Sequence, residues 1–98
     1  MEKRTPHVGL ATIRGLIETG RVRMTFSAVQ GAQGLGMDTG EVLNVVRALR
    51  PSDFRKSMTT YADHRIWQDV YCPTTRKGRV YLKLTVLDEL LVVSFKEA

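Results

Sequence analysis

One cysteine in 98 residues, Cys72, leaves no partner for an intrachain disulfide and excludes any cysteine-rich zinc site. It reads as a reduced thiol in a cytoplasmic protein, and with Pro73 after it and no histidine near it in sequence it makes a poor nucleophile. There are two histidines, His7 and His64, and no His, Asp or Glu cluster has ligand spacing, so neither a metal site nor a cofactor is expected. Glycines 31, 34 and 36 follow no strand and match no phosphate-loop pattern. The longest apolar run, Leu90 to Val93, has the length of a strand and not of a membrane span, and residues 1–6 lead into no signal-peptide-like apolar run.

What is present is positive charge and a normal apolar fraction. Fifteen Lys and Arg against ten Asp and Glu give a formal charge of +5, which favours acidic partners (RNA, DNA, an anionic membrane or an acidic protein), although a basic surface kept only for solubility has the same charge. A hydrophobic content of 43% fits one folded domain over 1–98, without internal repeats or linkers.

Thr5-Pro6 predicts the start of a helix, Leu10, Ile13, Leu16 and Ile17 carry its apolar face, and Gly20 closes it. Arg21 to Thr25 alternates as a short strand, and Phe26 to Leu35 suggests a weak helix interrupted by glycine. Asp38 and Glu41 form a capping-box pattern ahead of Val42, Val45, Val46 and Leu49, and Pro51 ends that helix. Beyond Pro51 the period becomes two, predicting strands at 53–60, 65–72, 79–87 and 90–96 with short turns between them. Helices followed by an antiparallel meander make an α+β fold, the helices packing on one face of the sheet.

Parity then predicts faces, because opposed residues in an antiparallel pair share a face and their numbers have a constant sum. A two-residue loop at Asp88-Glu89 sets Val86 against Leu91, Leu84 against Val93 and Leu82 against Phe95. With Trp67 on that apolar face beside Leu82, Gln68 lies against Tyr81, and a hairpin centred on Ala62 sets Lys56 against Gln68. Lys56, Gln68, Tyr81 and Lys96 then form a line across four strands, flanked by Arg79 and Lys83, with Asp69 on the other face and no carboxylate among the cations. A solvated sheet face also carries Lys, Thr and Gln. On composition alone that plain reading is preferred; the tyrosine, the unbalanced cations and the overall charge weaken it and suggest a site for phosphate and nucleic acid. Trp67 and Tyr71 read as packing residues, and His64 sits in the polar Asp63-His64-Arg65 turn beside the Lys56 strand.

The blocks Met1-Glu2-Lys3-Arg4-Thr5-Pro6-His7, Lys56-Ser57-Met58-Thr59-Thr60-Tyr61, Asp63-His64, Trp67-Gln68-Asp69-Val70-Tyr71 and Val93-Ser94-Phe95-Lys96-Glu97 closely resemble the MqsR family of toxins from bacterial toxin–antitoxin pairs. The resemblance covers essentially the whole chain. It implies a RelE/YoeB-like fold and a ribosome-independent, metal-independent mRNA interferase that cuts at GC-containing triplets such as GCU. It also implies neutralisation by a zinc-containing antitoxin of MqsA type, DNA being reached only through that complex. Family activity residues match Lys56, Gln68, Tyr81 and Lys96, and Arg79, Lys83, His64 and Met58 are the candidate substrate contacts. Cys72 stands where the resemblance implies an arginine. Two other readings fit the same face: a non-catalytic RNA- or DNA-binding regulator, and a protein-binding adaptor. The antitoxin is expected to add a strand at an open sheet edge, either the strand after Pro51 or the one ending at Lys96, unless Arg21 to Thr25 covers it.

Overall fold

A computed structural model describes residues 1–98. Three helices, α1 (Leu10–Glu18), α2 (Phe26–Gly34) and α3 (Thr39–Arg47), are combined with strands β1 (Glu2–Lys3), β2 (Val22–Met24), β3 (Phe54–Thr59), β4 (Trp67–Tyr71), β5 (Thr74–Thr75), β6 (Gly78–Val86) and β7 (Leu90–Glu97). The main sheet runs β1-β3-β4-β6-β7-β2, antiparallel except for the β2/β7 pair, and β5 pairs with β6. This is the α+β arrangement the periodicity predicts. Ile13, Ile17, Ala28, Ala32, Val42, Val46 and Leu49 pack on Tyr71, Val80, Leu82, Leu84, Leu90, Val92 and Phe95, so the helices cover one face only.

The local signals act where they stand. Asp38 accepts from the Glu41 amide at 2.8 Å, and Glu41 reaches back to the Asp38 amide at 3.5 Å, closing the capping box of α3. The Gly20 amide donates to Ile17 with φ at +73°, a conformation that favours glycine. Thr25 caps α2 by accepting from Ala28, which secures the helix despite its glycines. Gly31 has a tertiary role as well: a Cβ there would meet the Phe95 carbonyl oxygen at 1.9 Å, so its absence lets α2 lie against β7.

Thr5-Pro6 does not start α1, whose N-cap is Gly9. The chain before it is drawn to the sheet instead. Asp69, 4% exposed, accepts from the His7 amide with both oxygens at 3.0 Å and from the Val8 amide at 3.1 Å. The His7 ring stacks on Trp67 with centroids 5.6 Å apart, and the Lys3 ammonium sits 4.1 Å from the indole. Asp69→Ala would leave these amides without their acceptor, and a loss of about 1–3 kcal/mol is expected. Urea unfolding measures it, and a midpoint equal to wild type would refute the anchoring role.

The hairpin registers differ from the sequence expectation in three places. Lys56 opposes Val70, not Gln68, because the β3/β4 connection is centred on Asp63 and not on Ala62; Met58 opposes Gln68. The 73–78 stretch is not a plain turn, since Thr74 pairs with Arg79 and Thr75 with Gly78 around Arg76-Lys77. That tight hairpin fixes β4 on β6 as well, so Val70 opposes Lys83 and Tyr71 opposes Leu82, displacing Gln68 from Tyr81 and Trp67 from Leu82. In the last hairpin Leu82 opposes Phe95 as expected. The loop, however, holds Leu87, Asp88 and Glu89, so Val86 meets Leu90 and Leu84 meets Val92. A bulge after Lys83 absorbs the extra residue and lets Leu90, Val92 and Phe95 all face the core.

Candidate active site on the open face of the sheet

The β3/β4 and β4/β6 displacements are even, so those strands keep their faces although they lose the single line. The β6/β7 displacement is odd but confined to the loop side of the bulge: it turns Leu91 and Val93 off the apolar face, where Leu90 and Val92 replace them, and leaves Tyr81 paired with Lys96. Lys56, Met58, Gln68, Val70, Tyr81, Lys83, Ser94 and Lys96 share the face turned away from the helices, and Asp69 is on the other, as expected. They lie in three rows. Glu2, Met58 and Gln68 form one; Lys56, Val70, Lys83 and Ser94 form the next; Tyr81 and Lys96 form the third. The central row joins two lysines across Val70, which is only 1% exposed between them. Long methylene stems can cover an apolar neighbour while the ammonium groups stay in water.

Tyr81 is the hub of the cationic part. The Lys96 nitrogen lies 5.3 Å and the Lys83 nitrogen 5.9 Å from its ring centroid. Burial lowers the Lys83 pKa, and the charges of Lys96 and Lys56 lower it further. Lys56 moves the other way. Its nitrogen donates to Glu2 Oε1 at 2.9 Å, and that hydrogen bond, with the attraction behind it, raises its pKa while lowering that of Glu2. The expected absence of a carboxylate among these cations is therefore corrected: Glu2, delivered by β1, belongs to the site. Two residues are too short for a periodic signal, so β1 is not visible in the sequence pattern.

The other candidate contacts are spread out. Met58 is in the Gln68 row, and exposed Arg79 extends the strand beyond Tyr81. His64 lies past Thr60, in the turn beyond the end of β3, away from Lys56. Its turn is held by Asp63, whose carboxylate accepts from the Arg65 amide and guanidinium at 2.9–3.1 Å and whose pKa those bonds lower. The structure thus brings Lys56, Lys83, Tyr81 and Lys96 together, sets Gln68 and Met58 beside them and leaves His64 at the hairpin end.

Tyr71 is not part of this face. It is fully buried against Phe54, and burial first, then Asp69 and Asp53, pushes its hydroxyl pKa up to about 12. Cys72 is a half-buried free thiol whose amide donates to Asp53 at 2.8 Å. A separate cavity of about 460 Å³ lies between α3 and the β5/β6 hairpin, lined by Glu41, Asn44, Arg50, Asp53 and Arg76, away from the lysines. No three His, Cys, Asp or Glu residues are grouped to hold a metal, and no helix is long and apolar enough to cross a membrane.

A one-sided sheet backed by helices, with an open face bearing three lysines and a tyrosine, defines a small α+β protein with a cationic sheet face. Residues 5–97 match the family described as motility quorum-sensing regulator, toxin of MqsA, and the chain belongs to that family. It is 55% identical over 97 residues to the mRNA interferase toxin MqsR of Escherichia coli (strain K12), the match covering 99% of each chain.

Proposed function

We propose that this protein is an mRNA interferase, a toxin endoribonuclease whose catalytic face is the lysine–tyrosine cluster. The observation that carries the reading is the grouping of Lys83 and Lys96 around Tyr81, with Lys56 in the adjacent row, on the face free of helices. A flat cationic surface accepts an extended RNA strand, whereas an enclosed pocket would select a small molecule. Membership of the toxin family and likeness to a named mRNA interferase support the choice of RNA. The preference for GC-containing triplets such as GCU, action without the ribosome and a cytoplasmic location rest on the resemblance.

Cleavage proceeds by attack of the ribose 2′-oxygen on the adjacent phosphorus. The 2′-hydroxyl gives its proton to a base, the new O–P bond forms, and the bond to the 5′-oxygen breaks. Lys56 and Lys96 stabilise the charge on the phosphorane. Tyr81 protonates the departing 5′-oxygen, and Gln68 positions the RNA from the neighbouring row. Met58, Arg79, Lys83 and His64 are the further RNA contacts. The products are a 2′,3′-cyclic phosphate and a 5′-hydroxyl, and EDTA leaves the rate unchanged. End-mapping of a cleaved GCU-containing RNA tests this: a 5′-phosphate downstream excludes the route. RNA left intact under saturating protein would instead favour a binding module.

The partner proposed is an antitoxin of MqsA type with a zinc-containing domain, its acidic groups meeting the lysine face. Neither expected edge is open along its length. β1 pairs with β3 at Ser57 and Met58, and β2 pairs with β7 from Leu90 to Val92. The outermost strands are thus two and three residues long, which limits strand addition to short stretches.

A further inference from the structure

The three lysines of the open face are not equivalent. Lys83 and Lys96 form no ion pair, whereas Lys56 holds Glu2 at 2.9 Å. Both partners stay in contact with solvent, the Lys56 side chain 38% and the Glu2 side chain 60% exposed, so the pair adds little to stability. Its placement suits another task. β1 sets Glu2 opposite Met58, one row from Lys56, which lets the carboxylate reach the ammonium diagonally across the strands.

We propose that Glu2 is a positioning residue of the ribonuclease site, fixing the Lys56 ammonium over the sheet where it meets the phosphate. This rests on the ribonuclease reading above. A free lysine has four rotatable bonds and samples many positions, and a charge that must meet a phosphorane gains from being held in advance. Glu2 occupies one of the three N–H donors of Lys56 and leaves two for phosphate oxygens. It also offsets a repulsive field. Arg4 from the N-terminal segment and Lys83 from β6 oppose a positive charge at Lys56, while Glu2, and Tyr81 when ionised, favour it. Lys56 thereby serves as fixed positive charge, and proton acceptance from the 2′-hydroxyl falls to another group.

The test uses the full chain as Glu2→Gln, Glu2→Asp, Lys56→Ala and the Glu2→Gln/Lys56→Ala double variant. Cleavage of a deoxyribo-oligonucleotide carrying one ribo-GCU triplet gives kcat and KM, and the ¹³Cε shift of Lys56 gives its titration. Glu2→Gln should lower kcat on the order of tenfold or more with KM nearly unchanged. Because the carboxylate raises the Lys56 pKa, its removal should move the Lys56 titration to lower pH. Glu2→Asp should recover part of kcat, and the double variant should be no slower than Lys56→Ala alone. A Glu2→Gln enzyme as fast as wild type, with Lys56→Ala inactive, would overturn the proposal and leave the site assignment standing. A faster Glu2→Gln enzyme would also overturn it, since the carboxylate would then be competing with phosphate. Full activity in Lys56→Ala would instead remove the site assignment on which the proposal depends.

Discussion

Lys56→Ala is expected to reduce cleavage of a purified GCU-containing RNA by about a hundredfold to a thousandfold, the order found on removing one preorganised donor that stabilises transition-state charge. The melting temperature should hardly change. Lys56 is partly exposed, its sole ion pair is with exposed Glu2, and its backbone pairing with Val70 does not depend on the side chain. Activity and fold should therefore separate. The measurement is initial rate against thermal unfolding on one preparation. Wild-type cleavage in this variant would take the catalytic face elsewhere on the molecule.

Gly31→Ala should have the largest effect on stability, although alanine is the better helix former by ~1 kcal/mol. The added methyl would sit 1.9 Å from the Phe95 carbonyl oxygen and 3.1 Å from its carbon. Both belong to the backbone of a paired strand, so neither can rotate away, and α2 must lift from β7. A net loss of about 2–3 kcal/mol is expected, lowering the melting temperature by roughly 10 °C or more. Cleavage should fall too, because Lys96 follows Phe95 on the strand that would be disturbed. A melting temperature equal to or above that of wild type would show that the helix accommodates the methyl and that the close approach is dispensable.

These two residues differ in how far they are legible in the sequence. Lys56 stands out because a charged residue recurs on one parity of a β-rich region within a basic chain. Gly31 reads only as a weakness in a helix. Its role requires knowing that Phe95, 64 residues away, brings its carbonyl against that turn. Glu2 is a similar case. In the chain it is one charged residue among several near the N-terminus, and pairing with Met58 turns it into the counterion of Lys56.

The sequence by itself determined the three helices, the long strands and the face that carries the lysines and the tyrosine. Helical spacing, the Asp38–Glu41 box and the change to period two act over a few residues, and parity survives any even error of register. Lys56, Gln68, Tyr81 and Lys96 therefore share a face even though Gln68 is not opposite Lys56 or Tyr81. The registers were decided by the tertiary structure: by the hairpin at Arg76-Lys77, by a connection centred on Asp63 and by a bulge that keeps Leu90, Val92 and Phe95 in one core. Tertiary structure also drew residues 7 and 8 to Asp69 and brought Glu2 to Lys56, because buried acceptors and unpaired charges find partners in space, wherever those partners lie along the chain.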